Sequence, residues 1–116
     1  MPVAAHSIRD AATGSTAVLV LEGELDLAAA PLLRARVDEA TDAGGGLVLD
    51  LRRATFIDSA VLKELLRARS ELAARDARLV LVGVPSPIRR LLDLTRTSEL
   101  FDDAPNVESA LRRLGA

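Results

Sequence analysis

Residues 47–66 read LVLDLRRATFIDSAVLKELL, and their two halves have different periods. Leu47 to Leu51 is a short Val/Leu run bounded by Gly44, Gly45 and Gly46 on one side and by Arg52 and Arg53 on the other. Such a run reads as a buried strand. From Asp58 onward the spacing changes: Leu62, Leu65, Leu66, Leu72 and Ala73 form an apolar stripe, while Lys63, Glu64, Arg67, Glu71 and Arg75 fall largely on the other faces. That pattern predicts an amphipathic helix, with Asp58 or Ser59 as its cap.

The same alternation of strand and helix extends in both directions. Ala17 to Leu21 and Leu79 to Val82 repeat the buried-strand pattern. Val3 to Arg9, followed by the turn residues Thr13, Gly14 and Ser15, predicts a weaker strand joined to the first strong one as a hairpin, at the edge of the sheet. Pro31 sits in the first turn of a helix that buries Leu33, Val37 and Ala40 and stops at the glycine triplet. A third helix is expected from about Ser86 and Pro87, burying Ile88, Leu91 and Leu92. A fourth, from about Asn106, turns Val107, Ala110, Leu111 and Leu114 inward. The expected order is strand, strand, helix, strand, helix, strand, helix, helix. Its crossovers are long enough to join parallel strands in the right-handed sense. This predicts an α/β fold with a mixed β-sheet flanked by about four α-helices, as a single compact domain over residues 1–116.

Composition narrows the function. Hydrophobic residues make up 49% of the 116 and charged residues 28%, which excludes a disordered chain. Cysteine is absent, which excludes a disulfide scaffold, a zinc knuckle and a catalytic thiol. Fifteen Lys and Arg against seventeen Asp and Glu give a net charge of -2, and aromatic residues are 2%. Neither a polyanion-attracting field nor base-stacking platforms are available, so nucleic acid is not an expected partner. No signal peptide and no membrane span is legible, and the expected location is cytoplasmic. Lys63 as the single lysine, amid many Arg and Ala, points to a GC-rich bacterial source.

Catalytic signatures are missing. Gly44–Gly46 precedes a strand rather than a helix and lacks the Lys and hydroxyl residue of a phosphate loop. His6 is the lone imidazole, and no serine sits in a nucleophile elbow. Glu22, Glu24 and Asp26 read as solvated acids of a strand-to-helix loop, since general acid/base work needs a cleft that separates their pKa values. No catalytic residue, metal site or cofactor is therefore expected. The segment Thr55 to Leu62 stands out because a strand end turns there into the strongest helix. Asp58 and Ser59 either cap that helix or present a hydroxyl whose phosphorylation would change an interface built around it.

At these positions the chain resembles the STAS domains, and within them the bacterial anti-sigma-factor antagonists. The resemblance rests on Leu21-Glu22-Gly23-Glu24-Leu25-Asp26-Leu27, Leu47-Val48-Leu49-Asp50-Leu51, Thr55-Phe56-Ile57-Asp58-Ser59, Leu79-Val80-Leu81-Val82-Gly83 and Ile88 to Thr95, in that order and over nearly the whole chain. It implies a non-enzymatic regulator whose dephosphorylated form captures an anti-sigma factor with a serine-kinase fold and frees the sigma factor. In the family the phosphorylated Ser or Thr follows the Asp-Ser pair and is followed by Gly. Here those positions hold Ala60 and Val61. Ala60 offers no oxygen, so the usual off-switch is expected to be missing. Ser59, the hydroxyl left in the turn, is displaced by about 100° around the helix.

The resemblance places the partner surface on Gly23, Glu24 and Asp26, on Asp58, Ser59, Ala60 and Val61, and on the helix face around Lys63, Glu64 and Arg67. An ordinary solvated charged face is the competing reading for the last three. Two other roles are compatible with the fold: an accessory subunit of a transporter ATPase, and a module that senses a nucleotide or lipid.

Overall fold

Leu47, Leu49 and Leu51 face one side of the central strand and Val48 and Asp50 the other, and all five are buried. The strand is therefore covered on both faces, as parallel strands are. The computed structural model describes residues 6–10, 16–42 and 44–115. In chain order they form β1 (His6–Asp10), β2 (Ala17–Leu25), α1 (Ala29–Thr41), β3 (Leu47–Ile57), α2 (Ser59–Ala74), β4 (Leu79–Val82) and α3 (Ser86–Leu94). A 3-10 turn (Ser98–Leu100), β5 (Asp102–Ala104) and α4 (Val107–Arg113) complete the chain.

The sheet order is β1-β2-β3-β4-β5, with β1 antiparallel to β2 and every other pair parallel. Crossovers of one hand between sequential neighbours put their helices on one side of the sheet. Accordingly Leu33 and Val37 of α1, Leu62, Leu65 and Leu72 of α2, and Ile88 and Leu92 of α3 share one core with the sheet leucines. On the other side α4 lays Ala110 on Val18, Val48, Val80, Val82 and Ala104.

The fold class follows expectation and so does the edge position of β1, while Val3–Ala5 and the turn Thr13–Ser15 lie outside the described residues. Four local readings change. The three-residue β5, Asp-Asp-Ala, carries no strand signal of its own and exists because it pairs with Val80–Val82. The strands of the motif run on well past the apolar runs, β2 to Leu25 and β3 to Ile57. Glu22 and Glu24 are thus strand residues, and only Asp26 lies in the loop. In α2 the buried face is Val61, Leu62, Leu65, Ala68 and Leu72, with Ala73 outside.

Asp50 is the one buried carboxylate among the described residues, and Arg52 satisfies it from the same strand. Its Oδ1 accepts from the Arg52 backbone N–H (3.1 Å) and Nε (3.0 Å), and its Oδ2 from Nη2 (2.8 Å). Burial works to raise the Asp50 pKa, but the Arg52 hydrogen bonds, aided by the charges of Arg52 and Arg9, outweigh it and hold the carboxyl below its ordinary value. A depressed folded pKa means the contribution is complete above the unfolded carboxylate range and is lost as pH falls through the folded value. Asp50→Asn should therefore lower the urea midpoint at pH 7 and flatten its fall between about pH 5 and pH 3. Parallel acid profiles for the two proteins would remove Asp50 from the acid response.

At the amino ends of the parallel strands, arginines satisfy helix C-terminal carbonyls. Arg75 donates to Thr41 O at the end of α1 (3.1 Å) and Arg78 to Arg113 O at the end of α4 (3.3 Å). That end is bound up in structural contacts. The opposite end carries the conspicuous loops.

Candidate partner-binding site

Parallel strands present their carboxyl ends and the start of the next helix together, the end of the sheet at which open α/β folds hold their ligands. In this chain those are the ends of β2 and β3. They are tied by Asp58 N–H donating to Leu25 O (2.9 Å), so the loop after β2 and the turn after β3 form one surface. Asp26 Oδ1 accepts from Ala28 N–H (3.1 Å) and folds the first loop into α1. Asp58 caps α2: its extended backbone (φ -78°, ψ 159°) precedes the first turn, and its Oδ1 accepts from Ala60 N–H (2.8 Å). Of the two cap candidates, Asp58 performs the role and Ser59 is the first helical residue.

Two β-bulges in β3 shape the approach. Val20 pairs with Asp50 but Glu22 pairs with Arg53, and Gly23 pairs with Ala54 but Glu24 with Phe56, so β3 carries an extra residue at each step. The result is two outward pairs, Arg52/Arg53 and Thr55/Phe56, separated by buried Ala54. Bulges beside functional ends commonly redirect side chains in this way. Gly23, within β2, adopts φ +82°, a conformation open to glycine at little cost.

The expected site residues do not all reach the surface. Glu24, Asp26, Ser59 and Lys63 are exposed, and Asp58, Ala60 and Glu64 are half-buried. Val61 is fully buried in the core below α2, so its branched side chain fills the interior and is not presented to a partner. Arg67 is turned toward its own fold, with Nε on Glu64 (2.8 Å), Nη1 on Glu71 (2.7 Å) and Nη2 on Asp38 of α1 (3.2 Å). These bonds, Glu64 first, hold the guanidinium pKa above its ordinary value despite partial burial. The α2 charges thus stitch α1 to α2, which goes beyond the solvated face considered from the sequence. His6 falls in β1. The described residues contain no group of three or more acids or histidines able to hold a metal ion.

Sequence reasoning missed an apolar groove at the same end. It has a volume of about 230 Å³ and is lined by Phe56, Ile57, Pro87, Ile88, Arg90, Leu91 and Leu94. Phe56 is 49% and Leu94 76% exposed, and Leu27, in the loop after β2, is 68% exposed. One signal was available: Leu94 lies off the Ile88/Leu92 stripe of α3, and a large apolar residue on the polar face has no core to join.

The chain is thus a mixed sheet with three helices on one side and a short fourth on the other, with the loop after β2 and the turn after β3 joined at the strand carboxyl ends. The STAS domain model matches residues 7–110, and the chain belongs to the STAS domain family, with the fold of its anti-sigma-factor antagonists. It is similar to the anti-sigma factor antagonist SpoIIAA in its unphosphorylated form, at 25% identity and a TM-score of 0.81 over 95% of this chain and 98% of that one. An anti-sigma factor antagonist from Mycobacterium paratuberculosis superposes with a TM-score of 0.84 at 23% identity, covering 96% and 95%. A sulfate transporter family protein from Wolinella succinogenes shares the fold at 18% identity, with a TM-score of 0.75 over 87% and 85%. No helix among the described residues is long and apolar enough to cross a membrane.

Proposed function

We propose that this STAS domain is a non-enzymatic, cytoplasmic anti-sigma-factor antagonist that captures an anti-sigma factor of serine-kinase fold and is not released by phosphorylation at the usual position. The observation that carries the reading is Ala60: it occupies the first turn of α2 beside the Asp58 cap, where the family's hydroxyl would stand, and has no oxygen to accept a phosphoryl group. The surface would comprise Gly23, Glu24, Asp26, Asp58, Ser59 and Lys63, with Glu64 and Arg67 holding α2 in place. Its three carboxylates suit a basic patch on the partner. Ser59 is exposed, and its Oγ lies 3.5 Å from Asp58 Oδ1. A phosphate there would face that carboxylate at short range, which opposes modification.

The test is affinity capture from source lysate with Mg-ATP, followed by intact-mass measurement of the recovered domain. Capture of an ATP-binding anti-sigma kinase by a domain of unchanged mass is the expected result. A phosphate mapped to Ser59 would move the switch by one residue and end the constitutive reading. Recovery of a transporter ATPase in place of a kinase would reassign the domain to accessory-subunit work on the same fold.

A further inference from the structure

Phe56 and Leu94 stand at the rim of the groove between β3 and α3, and Ile57 and Ile88, 2% and 1% exposed, form its floor. Every lining residue is apolar except Arg90. The preceding arginine is engaged: Arg89 donates to Asp103 and to Ser98 Oγ. No hydrogen bond or ion pair of the Arg90 guanidinium occurs among the described residues. An occupant that satisfies both features needs an apolar body and one negative group. Arg90 is exposed to water, so a neutral lipid would forgo its charge without burying it, whereas an anionic head gains it, and a purely ionic ligand leaves the apolar walls wet.

We propose that this groove binds a medium-chain fatty carboxylate, its tail along Phe56, Ile57, Ile88 and Leu91 and its carboxylate on Arg90. The size argues for a short chain. Its volume of about 230 Å³ is below the range of about 300–1,000 Å³ of pockets for drug-sized ligands. The second bulge of β3 contributes directly, because the extra residue between Ala54 and Phe56 sets Phe56 outward at the mouth. Since Ile57 immediately precedes the Asp58 cap, an occupied groove would abut the turn of the proposed partner surface. A ligand there would supply a regulatory input at a turn that lacks the hydroxyl at position 60. Binding of the carboxylate itself does not depend on the antagonist reading.

The test titrates hexanoate, octanoate, decanoate, dodecanoate and 1-octanol, below their micelle or solubility limits, into the isotopically labelled domain while backbone amide NMR shifts are followed. Saturable shifts confined to Phe56, Ile57 and Ile88 to Leu94 are expected, with affinity rising about two- to fourfold per methylene. The rise should level off near eight to ten carbons. Arg90→Glu should weaken octanoate at least tenfold and leave octanol unchanged, and Leu94→Asp should weaken both. Both positions are exposed, so neither change removes a buried side chain, and the dispersion of each variant's amide spectrum checks its fold. The proposal is overturned by an absence of saturable shifts, by affinity that climbs with chain length without levelling, or by equal octanoate affinity in Arg90→Glu. It is equally overturned if only anionic phospholipid vesicles bind, or if carboxylates leave the groove untouched while Leu94→Asp abolishes kinase capture, which would make it a protein contact.

Discussion

Asp58→Lys is expected to weaken capture of the proposed anti-sigma partner about thirtyfold or more while leaving the domain folded. The carboxylate lies where the ends of β2 and β3 are joined, at the start of α2 and beside Leu25, the residue between Glu24 and Asp26 in the chain. Setting like charges against each other in a complementary interface typically costs several kcal/mol. The stability cost is separable. Lysine cannot accept the Ala60 N–H, which removes a cap worth about 1 kcal/mol, and it places a cation at the positive end of the helix for roughly 0.5 kcal/mol more. For a domain of this size that lowers Tm by roughly 5–10 °C. Asp58→Asn isolates the charge, because asparagine caps as well as aspartate. Titration calorimetry on both variants decides the matter: if Asn and Lys bind like the parent, Asp58 lies outside the interface.

Gly83→Ala should cost about 3 kcal/mol and roughly 15 °C of Tm. Gly83 follows β4 with φ +60°, a conformation that costs a residue with a Cβ about 1–2 kcal/mol. A Cβ built there would lie 2.1 Å from Arg52 Cγ and 3.0 Å from Cδ. That stem cannot swing aside freely, because the guanidinium is held on both oxygens of Asp50. Displacing it leaves a buried carboxylate short of its partners, and unpaired buried charge is costly. Half of the Arg52 side chain is exposed, so water recovers part of that loss. Chemical denaturation of Gly83→Ala, Arg52→Ala and the double variant checks the account. The two changes should cost less together than their sum, since removing the Arg52 stem removes the clash. Strict additivity would show that the backbone conformation alone sets the price.

Much of this protein was legible in its sequence. Ala17–Leu21, Leu47–Leu51 and Leu79–Val82 are buried strands, and α1 to α4 begin and end near their Pro, Asp, Asn and Gly signals, because burial and capping are read within a few neighbouring residues. Asp58 as a helix cap and Ala60 as a missing hydroxyl are equally local facts, legible from residue type and order. Tertiary structure decided everything that depends on a neighbour distant in the chain. β5 is a strand because Val80–Val82 offers it a ladder, and the acids of β2 belong to the sheet because bulged β3 continues beside them. Val61 turns inward and Arg67 reaches Asp38 only once α2 is packed on α1 and the sheet. Phe56 and Leu94 share a groove although 38 positions separate them in the chain. Hydrophobic period and cap chemistry are short-range codes, whereas register, exposure and pairing are set by the partner surface that folding brings alongside.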